Sequence, residues 1–99
     1  MAVHHPVKVS VVIPTYNRAA YIRQAIDSVL QQTMTDFEII VVDDGSTDDT
    51  REVVAGYGER IRYLRTANGG PARARNAGMA EARGQYIAWL DSDDTYHPA

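Results

Sequence analysis

Three carboxylates crowd the stretch WLDSDD at residues 89–94, where Asp91, Asp93 and Asp94 close an apolar run. Like charges this close repel unless water or a cation screens them. In extended backbone residues i and i+2 point the same way, so Asp91 and Asp93 can aim at one site while Asp94 faces elsewhere. Hard divalent ions such as Mg²⁺ and Mn²⁺ take such oxygen ligands, together with water and phosphate oxygens. The plainer alternative is a solvated turn. A second acidic pair, Asp43 and Asp44, ends the run FEIIVVDDGS. An ionised carboxylate only accepts hydrogen bonds, so one of the pair can face a cleft and read an imide N–H or a ribose hydroxyl. The other then holds the start of the following helix. A third stretch, PTYNR, supplies Pro14, Thr15, Tyr16 and Asn17. Tyr16 can offer a flat face to a heterocyclic base or cover the end of the core. Thr15 and Asn17 carry groups suited to a heterocycle's edge. Arg73, Arg75 and Arg83 are expected on one Ala-rich helix, PARARNAGMAEARG, with Gly84 past its end. Arg73 and Arg75 cannot lie on the same helix face, and Arg75 is the candidate for reaching a diphosphate.

These groups need elements to hold them. Residues 8–15, KVSVVIPT, are rich in β-branched side chains and stop at Pro14 and Thr15. In RAAYIRQAIDSVLQQT, Ile22, Ala25, Ile26, Val29 and Leu30 recur at helical spacing and predict an amphipathic helix. Residues 37–42 form a near-continuous apolar run, which suits a strand buried on both faces. A helix then starts with Ser46 or Thr47 as N-cap and ends near Gly56 and Gly58. RIRYLRT alternates charged and apolar residues, as a strand near a sheet edge does. NGG reads as a turn, Pro71 suits the first position of a third helix, and QYIAWLD reads as a fourth strand. Asn76 and Gly78, with Ala74 and Ala77, suit close contact between that helix and the sheet. The order β-α-β-α-β-α-β predicts an α/β fold: a parallel sheet with right-handed crossovers and helices on both faces. Ligands of such sheets sit beyond the carboxyl ends of the strands, and all three polar stretches fall there.

Composition narrows the classes. A chain of 99 residues with 44% hydrophobic content suits a single small domain. The net charge of −3 argues against a nucleic-acid backbone as partner. There is no cysteine, hence no disulfide and no thiolate metal site. MAVHHPVK lacks the apolar stretch of a signal peptide, and no run approaches the roughly 20 apolar residues of a membrane span. A cytoplasmic location is therefore expected, extending to the inner face of the membrane for a full-length protein. Neither G-x-G-x-x-G nor G-x-x-x-x-G-K-[ST] occurs.

Read together, VSVVIPTYNRAAYIRQAIDSVLQQT, DFEIIVVDDGSTDDT and NGGPARARNAGMAEARGQYIAWLDSDD resemble the N-terminal part of the family-2 glycosyltransferases, which are inverting enzymes with the GT-A fold. The resemblance implies a single partial domain over residues 1–99, with residues 8–94 as the nucleotide-sugar-binding half of a Rossmann-like sheet. It implies transfer of a sugar from a nucleotide-diphosphate sugar, UDP-linked, to an acceptor hydroxyl, in polysaccharide or cell-envelope biosynthesis. Tyr16 would border the nucleobase, with Pro14, Thr15 and Asn17 lining the site, and Asp44 would read the base edge. Asp91 and Asp93 would be the D-x-D pair, Asp91 toward the ribose and sugar and Asp93 on the Mn²⁺ or Mg²⁺ that bridges the phosphates. The general base and acceptor-binding elements would lie downstream, so these residues alone are expected to bind donor weakly without turnover. The acceptor, whether sugar, lipid or protein, is not implied. An unpaired edge strand would favour homo-oligomers. Rival readings are a non-catalytic nucleotide-binding or assembly module, and a sugar-nucleotide nucleotidyltransferase, which would need a Gly-rich basic loop where PTYNRAAY stands.

Overall fold

The computed structural model describes residues 8–32 and 36–90. Strands β1 (Val9–Thr15), β2 (Phe37–Asp43), β3 (Ile61–Arg65) and β4 (Tyr86–Trp89) alternate with helices α1 (Ala19–Leu30), α2 (Thr50–Ala55) and α3 (Pro71–Glu81). A single 3₁₀ turn, Gly58–Arg60, leads into β3. All strand pairings are parallel, and the spatial order is β3-β2-β1-β4. The order reverses between β1 and β4, so α3 carries the chain back across the sheet.

Alternation along β1 and β2 divides the interior in two. Val11, Ile13, Ile39 and Val41 face α1 and α2, where they meet Ile22, Ala25, Ile26, Val29 and Val54. Val12, Ile40 and Val42 face the other way, onto Ala74 of α3. With apolar side chains on both faces, β2 reads as a near-continuous apolar run, interrupted by Glu38 and closed by Asp43. Ile13, Ile22, Ile26 and Ile40 are fully buried, each stabilising the fold by about 2 kcal/mol. On α3, Gly78 allows close approach: a Cβ there would stand 2.4 Å from Val12 Cγ1. Ala74 and Gly78 are buried as the sequence predicts, while Asn76 is exposed.

The amino ends of the strands are pinned together. Glu38 on β2 accepts from the Ser10 hydroxyl of β1, from Arg62 of β3 at 3.1 Å, and from the Arg83 amide at 2.7 Å. Gly84, just before β4, donates to Ser10 Oγ at 2.8 Å. Burial works against ionisation of Glu38, but the bonds from Ser10, Arg83 and Arg62 outweigh it and hold its carboxyl below the ordinary range.

One boundary departs from expectation. Helix α2 starts at Thr50 rather than behind a Ser46 or Thr47 cap. Ser46, Thr47 and Asp48 instead form a loop committed to residues after β1, and the Asp48 carboxylate takes the Thr50 amide at 3.0 Å. Strand β3 lies at a sheet edge, as its alternation predicts.

Candidate functional site

The strands β1, β2 and β3 end level with one another: Thr15 is in register with Asp43, and Asp43 with Arg65. Beyond these ends, beside the reversal in strand order, lies a cleft of about 410 Å³. Pro14, Thr15, Tyr16 and Arg18 line it from the β1 side, and Asp44 lines it from β2. Asn68, Gly70, Pro71, Ala74 and Arg75 complete it from the β3–α3 loop and the first turns of α3. Small-ligand sites have volumes of this order.

The two acids of DDGS do different work. Asp43 is fully buried. It accepts from the Ser46 amide at 2.8 Å and from the Tyr63 hydroxyl, and Arg65 stands 3.5 Å away. Burial and the bond to Asp43 both push the Tyr63 phenol up. Asp43 is therefore the structural member of the pair. Asp44 faces the cleft and also ties down its far wall. Its Oδ1 accepts from Thr66 Oγ1 at 2.9 Å and the Gly69 amide at 2.9 Å, and its Oδ2 from the Gly70 amide at 2.8 Å. Burial opposes ionisation of Asp44. The Gly69 and Gly70 amides, the Thr66 hydroxyl and the Arg73 charge outweigh it, so the carboxyl stays below its ordinary value and is ionised at neutral pH. With about two acceptor positions per oxygen, Oδ2 can take one further donor.

Thr15 supplies the clearest sign of an unmet partner. It is 4% exposed, and its Oγ1 has no hydrogen-bond partner among the described residues. A buried hydroxyl left alone costs about 1–3 kcal/mol, and native proteins rarely keep one without a use. Tyr16 stands at the rim of the cleft, 41% exposed.

The arginines separate by position. Arg75 lines the cleft. Arg73 lies over Gly69, and its charge favours the Asp44 carboxylate. Arg83, expected on the third helix, lies beyond it, because α3 ends at Glu81 and Ala82 is extended; it sits at the opposite end of the sheet, 3.3 Å from Glu38. Asn17 does not line the cleft: its carboxamide oxygen accepts from the Thr47 amide at 2.8 Å and the Asp48 amide at 3.3 Å. Arg18 and Asn68 were not singled out from sequence. A basic residue directly behind PTYN is the signal that marks Arg18, whereas nothing local marks Asn68. Asp91 and Asp93 lie outside the described residues. Among the described residues no group of three or more His, Cys, Asp or Glu is placed to hold a metal ion.

The cleft thus combines an aromatic rim, a fixed anion and two arginines at a switch point. The model of glycosyl transferase family 2 matches residues 10–99. The chain belongs to this family. This family-2 chain is 50% identical over 90 residues to an uncharacterised glycosyltransferase of Rickettsia prowazekii (strain Madrid E), covering 91% of the chain and 28% of that relative. It therefore spans 28% of that relative's length, and 16% of a similar glycosyltransferase of Rickettsia felis. Among solved structures, S. aureus TarS 1–349 in complex with UDP-GlcNAc superposes with a TM-score of 0.83 at 37% identity, over 89% of this chain and 27% of that one. Mannosyltransferase PcManGT from Pyrobaculum calidifontis, in complex with GDP-Man and Mn²⁺, gives 0.85 at 29% identity, over 90% of this chain and 28% of that one. The parallel Rossmann-like sheet is the N-terminal half of the GT-A fold. No helix among the described residues is long and apolar enough to cross a membrane.

Proposed function

We propose that the family-2 chain is the donor-binding part of a glycosyltransferase that moves a sugar, with inversion, from a nucleotide-diphosphate sugar to an acceptor hydroxyl. The UDP-GlcNAc held by TarS and the GDP-Man held by PcManGT support a sugar-nucleotide donor, and UDP is the proposed nucleotide here. The observation that carries the reading is the meeting, in one cleft at the strand ends, of the exposed Tyr16 ring, the ionised Asp44 carboxylate and Arg75.

Each residue has a task that its setting supports. The exposed Tyr16 ring stacks on the pyrimidine, an interaction worth about 1–3 kcal/mol per base. Asp44, ionised and held by its three donors, uses the free position on Oδ2 to accept the imide N–H. Thr15, which lines the cleft beside Pro14 and Tyr16, is assigned to the polar edge of the base site. Arg75 and Arg18, which line the cleft, are assigned to offset diphosphate charge, and Arg75 with its planar guanidinium can engage two oxygens at once. Asp93, with Asp91, is assigned the divalent ion, Mn²⁺ or Mg²⁺, which when bound supplies Lewis-acid stabilisation of the departing diphosphate. No described residue is placed as a general base. Deprotonation of the acceptor is assigned to a downstream carboxylate of a longer protein, in keeping with the 28% of its relative that the chain spans.

Thr15→Val tests the reading directly. The substitution keeps the shape of the side chain and deletes only the lone hydroxyl. The free protein should be as stable as the parent or more so, by up to about 1 kcal/mol, because no bond is lost. Affinity for UDP, measured by calorimetry, should fall about five- to tenfold for one lost hydrogen bond. A loss of stability, or UDP binding unchanged by the substitution, would refute the role given to this hydroxyl.

A further inference from the structure

Tyr16 is the aromatic residue of the cleft and is exposed at its rim, and among the described residues its hydroxyl has no hydrogen-bond partner. The backbone on either side of the ring is held. On one side, Thr15 O accepts the Asp44 amide at 2.9 Å. On the other stands Asn17, the one non-glycine residue with positive φ among those described, at 52°. Its amide donates to Ser46 Oγ at 2.8 Å. Its Oδ1 accepts from the Thr47 amide at 2.8 Å, the Thr47 hydroxyl at 3.4 Å and the Asp48 amide at 3.3 Å. Asp48 closes the loop from its side: Oδ2 accepts the Ala19 amide at 3.2 Å, satisfying a first-turn donor of α1 that has no side-chain cap of its own. The bonds from Thr50 and the Ala19 amide outweigh the burial that opposes ionisation of Asp48.

From this clasp we infer that Asn17 is a positioning residue for nucleotide binding: by locking the β1–α1 loop onto the β2–α2 loop, it presents Tyr16 to the base. The inference rests on the functional reading above and adds a residue that touches no ligand. Asn suits the position twice over. It tolerates the left-handed backbone better than other non-glycine residues, and its carboxamide oxygen can serve several donors. The bend at Asn17 turns the chain immediately after Tyr16, so the ring sits at the apex of a segment held at both neighbours.

The test is calorimetric titration of the full chain with UDP, as unsubstituted protein, Asn17→Ala, Asn17→Gly, Asn17→Asp, Tyr16→Ala and the Tyr16→Ala/Asn17→Ala double variant, each checked for folding by circular dichroism. Asn17→Ala should weaken UDP binding about tenfold when Tyr16 is present and less than about twofold when it is absent, because the two act on one contact. Asn17→Gly relieves the backbone but removes the acceptor, and should bind as poorly as Asn17→Ala. Asn17→Asp keeps the acceptor and should restore binding to within about twofold. A folded Asn17→Ala with full affinity overturns the inference. An equal loss in the Tyr16→Ala background also overturns it, since that outcome makes the role a general structural one. Hydrogen exchange on the unsubstituted chain adds an arm free of variants. UDP should slow exchange at the Thr47 and Asp48 amides several-fold, and unchanged exchange on binding counts against the clasp. Failure of the unsubstituted chain to bind UDP at all instead removes the functional reading, and this inference with it.

Discussion

Asp44→Asn removes one charge and replaces one acceptor oxygen with a donor, at a residue assigned both to the base and to the wall of the cleft. In the parent, three donors converge on the carboxylate from Thr66, Gly69 and Gly70. However the carboxamide is turned, its NH₂ group faces a backbone N–H. The less costly orientation keeps the oxygen on Thr66 and Gly69 and sets the NH₂ against the Gly70 amide. A hydrogen bond to a charged acceptor contributes about 1.5–3 kcal/mol and a neutral one about 1 kcal/mol. Losing one such bond and weakening two others gives about 3 kcal/mol of destabilisation. For a domain of this size that lowers Tm by on the order of 15 °C. Urea unfolding without nucleotide measures it. The acid dependence supplies a second check. Because the folded-state pKa of Asp44 lies below its ordinary value of 3.8, its contribution is complete above that value and is lost as pH falls through the folded pKa. The gap between parent and variant should therefore be full at neutral pH and narrow progressively in acid. Equal stability at neutral pH, or a gap indifferent to acid, would refute the view that this carboxylate holds the β3–α3 loop.

Two further outcomes follow from packing and hydrogen bonding. Gly78→Ala places a methyl 2.4 Å from Val12 Cγ1; overpacking of about 1–3 kcal/mol exceeds the helix-propensity gain of about 1 kcal/mol, and adding Val12→Ala should relieve the crowding, both readable from thermal melts. Tyr57 is raised to about 12, by burial and then by its bond to Asp27 at 2.6 Å. Its contribution to stability should be full below the ordinary value of 10.0 and lost as pH rises toward about 12, a loss absent from Tyr57→Phe and measurable by denaturant midpoints beside a phenolate absorbance titration.

Much of this architecture was legible in sequence because single physical signals dominated each element. The stripe Ile22, Ala25, Ile26, Val29 could only be a helix face. Residues 37–42 were too uniformly apolar for a surface strand, and the charges of RIRYLR placed β3 at an edge. The strand ends then marked the cleft through Pro14, Thr15, Tyr16 and Asp44. What stayed illegible depends on contacts between distant segments. Ser46 and Thr47 read locally as a helix cap, but Asn17, about thirty positions away, recruits them across the strand ends. Asp44 read as a base-reading acid, and sequence gave no hint that Gly69 and Gly70 also need it. Whether Thr15 is satisfied or alone is likewise a property of the closed interior, not of PTYN.

Glu38, with Ser10, Arg62, Arg83 and Gly84, ties every strand at the edge of the sheet remote from the cleft. The tie that holds the strands together and the cleft thus occupy opposite ends of the same strands. An architecture anchored from beneath leaves its upper loops open to replacement: new lengths and chemistries can be tried there while the foundation keeps its shape.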